Sequence, residues 1–299
     1  MALTRIRDNS STHPAKSAYR SDNRVRAKKA LTKGALYLIL GIVVFIYIIP
    51  TYWVISTSFK QEVDAFAIPP KWFIFKPTLA NFKAAFIDYG MLPNFKNSVI
   101  VTTGSTLLAL ALGTPAAYGL SRFNFKRREN LMFWFLSTRM APPLLVALPF
   151  FLISRQIGLY DKLILLVFIN VLTSLAWVVF MMRSFFDDIP VDIDEASRVD
   201  GCSWIGALWR IVLPLSAPGL VATTVFCLIM SWNEYFFALV LTSVNAKTLP
   251  AAITSFMTVH GLLWGPMTAA GTVVMLPILL FTIWMQKHLI RGMTMGAVK

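Results

Sequence analysis

Apolar residues run in six long stretches, and a spanning helix needs about 20 of them. The stretches are 35–59, 95–120, 131–153, 161–182, 215–240 and 266–287. The first, "ALYLILGIVVFIYIIPTYWVIS", is the most continuous, and its Pro50 is a tolerable kink because neighbouring groups can satisfy the freed carbonyl. The second, "NSVIVTTGSTLLALALGTPAAYGL", is rich in Gly, Ala, Ser and Thr. Small residues let helix backbones approach closely, so this stretch is expected inside a bundle.

Between the fourth and fifth stretches the pattern turns polar, in "RSFFDDIPVDIDEASRVDGCSWIGALWRIVLP" at 183–214. It predicts two short helices meeting at Gly201, a residue suited to a left-handed helix end. Asp188 is expected to cap the first helix, with Pro190 in its first turn. Asp192, Asp194 and Glu195 then lie toward its positive end, and Arg198 is spaced to pair with Asp194 or Glu195. Ile193, Ala196 and Val199 share a narrow apolar face. In the second helix Trp204, Ile205, Leu208 and Val212 form a stripe ending near Pro214. Of the outer connections, 60–94 reads as a partly ordered cap, and 241–265 reads as a loop with a short helix beginning near Pro250.

Composition places this pattern in a bilayer. The chain of 299 residues is 57% apolar and 14% charged, against roughly 25% charged in a soluble domain. Its net charge of +14 does not call for nucleic acid, because nine Lys or Arg lie in the first 34 residues. That segment, too charged and too long to begin a cleaved signal, is expected to be an irregular cytoplasmic tail close to anionic lipid. Nineteen basic residues fall on the side of the tail and seven on the other, which favours both termini, and the 183–214 loop, in the cytoplasm. Cys202, Cys227 and the scattered His13, His260 and His288 make neither a disulfide framework nor a metal pattern. No G-x-x-x-x-G-K-[ST] phosphate cradle occurs, so ATP has no site here.

Glu195-Ala196, Ser197 where a second alanine would stand, Gly201 after three more residues, and Ile211, Leu213 and Pro214 after nine more form an ordered signature. It resembles the cytoplasmic loop of permease subunits of binding-protein-dependent ABC importers. The resemblance extends over 35–299 through "NFKNSVIVT", "PAAYGLSRFNFKRR", "SWNEYFFAL", "TLPAAI", "WGPMTAAG" and "LIRGMTMGAVK". It is to the carbohydrate type, and within that to the smaller, six-span permease of the maltose system.

The resemblance implies an all-α membrane protein with the type I importer permease fold. It implies six transmembrane helices, both termini cytoplasmic, a basic tail at 1–34 and a permease domain at 35–299. Its loop would be a coupling helix seated on a separate ATPase, with Glu195, Ala196 and Gly201 at the docking core, Ser197 beside them, and Arg198 and Asp200 flanking. The chain would bind no cofactor and carry no catalytic residue; ATP and Mg would sit on the partner ATPase. The implied assembly is a second permease subunit, two ATP-binding subunits and an extracytoplasmic solute-binding protein in a bacterial or archaeal inner membrane, importing a sugar or oligosaccharide. The alternatives are a polyol or glycerol-phosphate-like solute, or an ATP-independent secondary transporter, although no repeat of the halves favours the latter.

Arg139, Asn233 and Glu234 are candidate pathway or helix-packing residues, polar side chains set within the apolar stretches. Their cost in lipid means that each must face a cavity, a pathway or a polar partner within the bundle. Trp177, Trp232, Tyr235 and Phe236 could stack on sugar rings or simply pack.

Overall fold

The computed structural model describes the backbone of residues 15–259 and 261–295, and the side chains of residues 29, 31–259 and 261–283. The chain forms two compact units, Met1–Trp53 and Val54–Lys299. Most of the first is helix α1, Ala15–Ser58. No proline interrupts it before Pro50, and Ala, Lys and Arg are good helix formers. The stretch 15–34, expected to be irregular, is therefore helical; residues 1–14, including His13, lie outside the described residues. From Leu31 onward α1 is long and apolar enough to cross a membrane, with large side chains such as Leu36, Phe45 and Tyr47 exposed.

In the second unit, short helices α2 (Glu62–Ala65) and α3 (Ala80–Lys83), the latter continuing as a wider turn to Asp88, order the expected cap. Its Asn81 amide donates to the carbonyls of Ser58 (3.0 Å) and Lys60 (2.7 Å), fixing the end of α1. The framework is a close pair, α4 (Leu92–Arg122) and α7 (Leu163–Asp187). Ser98, Thr102, Ser105, Ala109, Gly113, Ala117 and Leu120 are buried at three- and four-residue spacing on α4, the small-residue face that the sequence predicts. Gly104 meets Val167 and Gly113 meets Val178, so the two helices run parallel. A Cβ on Gly113 would lie 2.6 Å from Val178 Cγ1, which makes the approach one only glycine allows.

Parallel neighbours need a return path, and here the sequence expectation fails. The stretch 131–153 is two helices, α5 (Arg128–Ser137) and α6 (Pro143–Gln156), neither long enough to span alone. Pro142 and Pro143 explain the break: each lacks an N–H, and the residue before a proline is pushed out of the helical region. The stretch 215–240 is also interrupted. Helix α8 (Val191–Val199) and the segment Trp204–Leu215, made of α9 (Trp204–Ala207), a wide turn (Leu208–Val212) and α10 (Leu213–Leu215), precede α11 (Ala217–Trp232). The segment bends by 84° into α11. At the far end, the Glu234 carboxylate accepts the N–H groups of Phe237 (2.7 Å) and Ala238 (3.0 Å), ending one helix and starting α12 (Phe236–Leu241).

Among the described residues four helices are therefore long and apolar enough to cross a membrane, and five if the bent pair counts as one. This overturns the six spans expected from apolar runs and from the resemblance to a six-span permease. The six-fold count behind the cytoplasmic placement of both termini goes with it.

Helix α13 (Leu249–Ala252), entered at Pro250 as expected, leads into a tight turn to Phe256. A two-residue hairpin, β1 (Met257–Thr258) and β2 (Gly261–Leu262), precedes α14 (Trp264–Met295). His260 and the side chain of His288 lie outside the described residues. A Cβ at Gly265 would lie 2.3 Å from the Asn81 amide oxygen, so this glycine admits the cap against α14.

The N-terminal ends of α4 and α7 are joined by polar bonds that the sequence reading missed. Asp161, at φ +59°, accepts the backbone N–H groups of Ser243, Val244, Asn245 and Ala246 and the Asn245 amide, all between 2.9 and 3.2 Å. From α4, Asn97 donates to the carbonyls of Asn245 and Lys247, Asn94 donates to that of Lys247, and Ser98 Oγ accepts the N–H of Leu249.

Candidate functional site

The hairpin of α8 and α9 stands at the opposite end of the α4–α7 pair. Its corner is a complete glycine-closed helix end: Cys202 N–H donates to Ser197 O and Gly201 N–H to Arg198 O, both at 3.0 Å. Gly201 has φ +88°, and a Cβ there would meet nothing within 4 Å. Backbone conformation therefore demands glycine, while the space in front of it is open. Across the corner Ser203 Oγ accepts the Gly206 N–H at 3.1 Å. The Trp204 ring lies 4.5 Å from the Arg198 guanidinium and meets the Phe123 ring edge-on at 4.8 Å.

Helix α8 does not present the faces that the sequence predicts. Val191 begins it, with Pro190 extended at the cap position and making no side-chain bond, because α7 runs to Asp187 and takes Asp188 as its own end. Arg198 stacks on Trp204 rather than pairing with Asp194 or Glu195. The packed face is polar. Asp194 is 0% exposed, accepting the Tyr118 hydroxyl and, at 2.7 Å, the Arg122 Nε–H. Arg122 also donates to Ile189 O (3.0 Å) and Ser121 Oγ (3.2 Å), while Ser121 Oγ donates to Asp187. Ser197 is buried beside Asp194 and donates to its carbonyl at 2.7 Å.

This leaves Glu195, Ala196, Arg198, Asp200 and Gly201 outward, with Val199 88% exposed. Ile205, expected in the packed stripe, is 70% exposed. Leu208 and Val212 do pack, in a cluster with Ala117, Tyr118, Val178, Met182 and Phe186. Ile211 and Leu213 are half-buried and Pro214 is exposed at the approach to the bend.

The polar residues of the apolar stretches each bond to backbone groups. Arg139, in the break between α5 and α6, donates from Nη1 to Thr173 O (2.7 Å) and lies 5.4 Å from the Trp177 ring. It borders a cavity of about 430 Å³ lined largely by aromatic and aliphatic side chains, including Trp134, Phe150 and Phe237. Asn233 bonds back to Ile229 O at 2.9 Å, and Glu234 caps α12. Trp232 is a packing residue, donating to Val274 O (3.0 Å) and meeting Phe95 edge-on. Trp177 likewise meets Phe226 edge-on. Among the described residues no cluster of three or more His, Cys, Asp or Glu could hold a metal ion.

Long apolar helices and interrupted apolar segments define the class: a multi-pass helical membrane protein. The chain belongs to the family described as the binding-protein-dependent transport system inner membrane component, which it matches over residues 105–295. A probable ABC transporter permease protein of Sinorhizobium fredii, y4oR, is 37% identical over 93% of this chain and 99% of its own. The diacetylchitobiose uptake system permease DasC of Streptomyces coelicolor is 32% identical over 87% and 95%. The trehalose/maltose transport system permease MalG of Thermococcus litoralis is 32% identical over 88% and 96%. In fold, the chain matches a crystal structure of a bacterial ABC transporter involved in import of the acidic polysaccharide alginate, with a TM-score of 0.71, 22% identity and coverage of 90% and 97%. It is thus the permease component of an ABC-type importer, working in the inner membrane with a partner ATPase.

Proposed function

We propose that the chain is a permease subunit for a sugar or oligosaccharide and that the α8–α9 hairpin is where the ATPase docks, on the cytoplasmic side. One observation carries the docking assignment: an outward surface of Glu195, Ala196, Val199, Asp200 and Gly201 on an elbow whose other face is locked into the core. An exposed Val199 and Ile205 beside acidic side chains suit an apolar pocket with a positive rim. A rigid elbow transmits force that a loose loop would absorb. ATP and Mg belong to the partner. A second permease subunit, a pair of ATPases and an external solute-binding protein complete the assembly, consistent with the family. The sugar assignment is supported by relatives named for diacetylchitobiose and for trehalose and maltose.

Gly201→Trp tests the docking site, since a bulky side chain at φ +88° strains the corner and projects into the open space where the ATPase would sit. In mild detergent the native chain is expected to co-purify with its ATPase, and Gly201→Trp to remain in the membrane while losing most of it. Equal recovery of the ATPase with both chains would remove the docking assignment.

A further inference from the structure

We infer that the buried Arg122–Asp194 pair is a positioning linkage that couples the hairpin to α4, which carries its motion to the 243–249 segment at the far end of the bundle. The inference rests on the docking role proposed above and says where the force goes next. By chain connection α8 follows α7, yet its ion pair reaches α4, with side chains only 2% and 0% exposed. Arg122 grips the turn into α8 as well, through Ile189 O. Tyr118, one helical turn earlier, holds the other Asp194 oxygen. A buried carboxylate deprived of its cation is costly, so hairpin and α4 move together or the pair breaks at a penalty.

At its other end α4 is tied just as specifically. Asn97 bonds the carbonyls of Asn245 and Lys247, and Ser98 receives the N–H of Leu249. From Asn97 to Arg122 the chain is helical throughout, with Pro115 inside the span, a length of about 38 Å at the usual rise. A helix fixed to partners at both ends is a lever, and each site then biases the same element, as energetic coupling requires.

The test uses the complete complex in proteoliposomes, with three readouts: ATPase retained, stimulation of hydrolysis by the loaded solute-binding protein, and solute uptake. Asp194→Asn is expected to keep its ATPase and basal hydrolysis but to lose stimulation and uptake by roughly tenfold or more. Tyr118→Phe, which keeps the ion pair, should lose less. Asn97→Ala, at the far end of α4, should reproduce the uncoupled pattern, which mere loosening of the hairpin could not do. Normal stimulation in Asp194→Asn, or in Asn97→Ala, would overturn the linkage. Should Asp194→Asn fail to accumulate, Asn97→Ala and Tyr118→Phe decide by the same readouts. If Gly201→Trp uncouples and these variants do not, the linkage falls and the docking site stands. If Gly201→Trp leaves the ATPase bound and stimulated, the docking site itself is wrong.

Discussion

At the scale of single residues, the glycine that closes the hairpin corner was legible, and the partners of the charged side chains around it were not. Gly201 was readable because a helix end that needs positive φ selects glycine. The Asp194 partner was not, because spacing rules see Arg198 four residues on, while the true cation, Arg122, comes 72 positions earlier. A signal was there: Tyr118 and Arg122 stand four apart at the end of an apolar helix, where an unpaired arginine invites an acidic neighbour. Other glycines mark contacts no pattern reveals. A Cβ at Gly219 would lie 2.2 Å from the Phe185 ring. Gly219→Ala should therefore destabilise the chain by about 1–3 kcal/mol through overpacking, measurable as a lower melting temperature in detergent, whereas Gly119→Ala, with open space, should change little. Similarly Leu208→Ala, in a side chain 2% exposed, should cost about 2–5 kcal/mol.

At the scale of elements, apolar length found the helices and missed their breaks. The two prolines at 142 and 143 were visible in "TRMAPP", but a span can absorb a proline when neighbours satisfy its carbonyls, so their presence alone did not decide. A lone Glu234 in an apolar stretch suggests a pathway or packing residue, and the structure uses its carboxylate to cap α12. The Asp161 clamp was invisible because its five donors lie 82–85 residues away. Burial alone would raise the Asp161 pKa, but the N–H groups of Asn245, Ser243, Ala246 and Val244 outweigh it and hold the carboxyl below the usual range. A depressed carboxyl stabilises the fold above its unfolded value, near ~3.9, and loses that contribution as pH falls through its folded value. The gap in melting temperature between native and Asp161→Asn chains should thus be constant from about pH 8 to about pH 5 and close only below about pH 4. A gap that varied across neutral pH would place the effect on another group.

At the scale of the whole molecule, the class was legible from hydropathy and charge, and the family from the spaced loop signature. The number of spans was not, since two parallel helices, α4 and α7, are joined by the broken pair α5 and α6 rather than by one continuous span. On the proposed reading the chain is one part of a machine, in which the hairpin receives motion and α4 carries it to the 243–249 segment tied to its far end. The most direct measurement is uptake of labelled diacetylchitobiose, maltose and trehalose into proteoliposomes holding the co-purified complex, with and without ATP and Mg on the ATPase side. The account predicts uptake of a sugar only with ATP, with the loaded binding protein outside, and its loss in Gly201→Trp. Uptake by this chain alone, driven by the solute gradient without ATP, would contradict it.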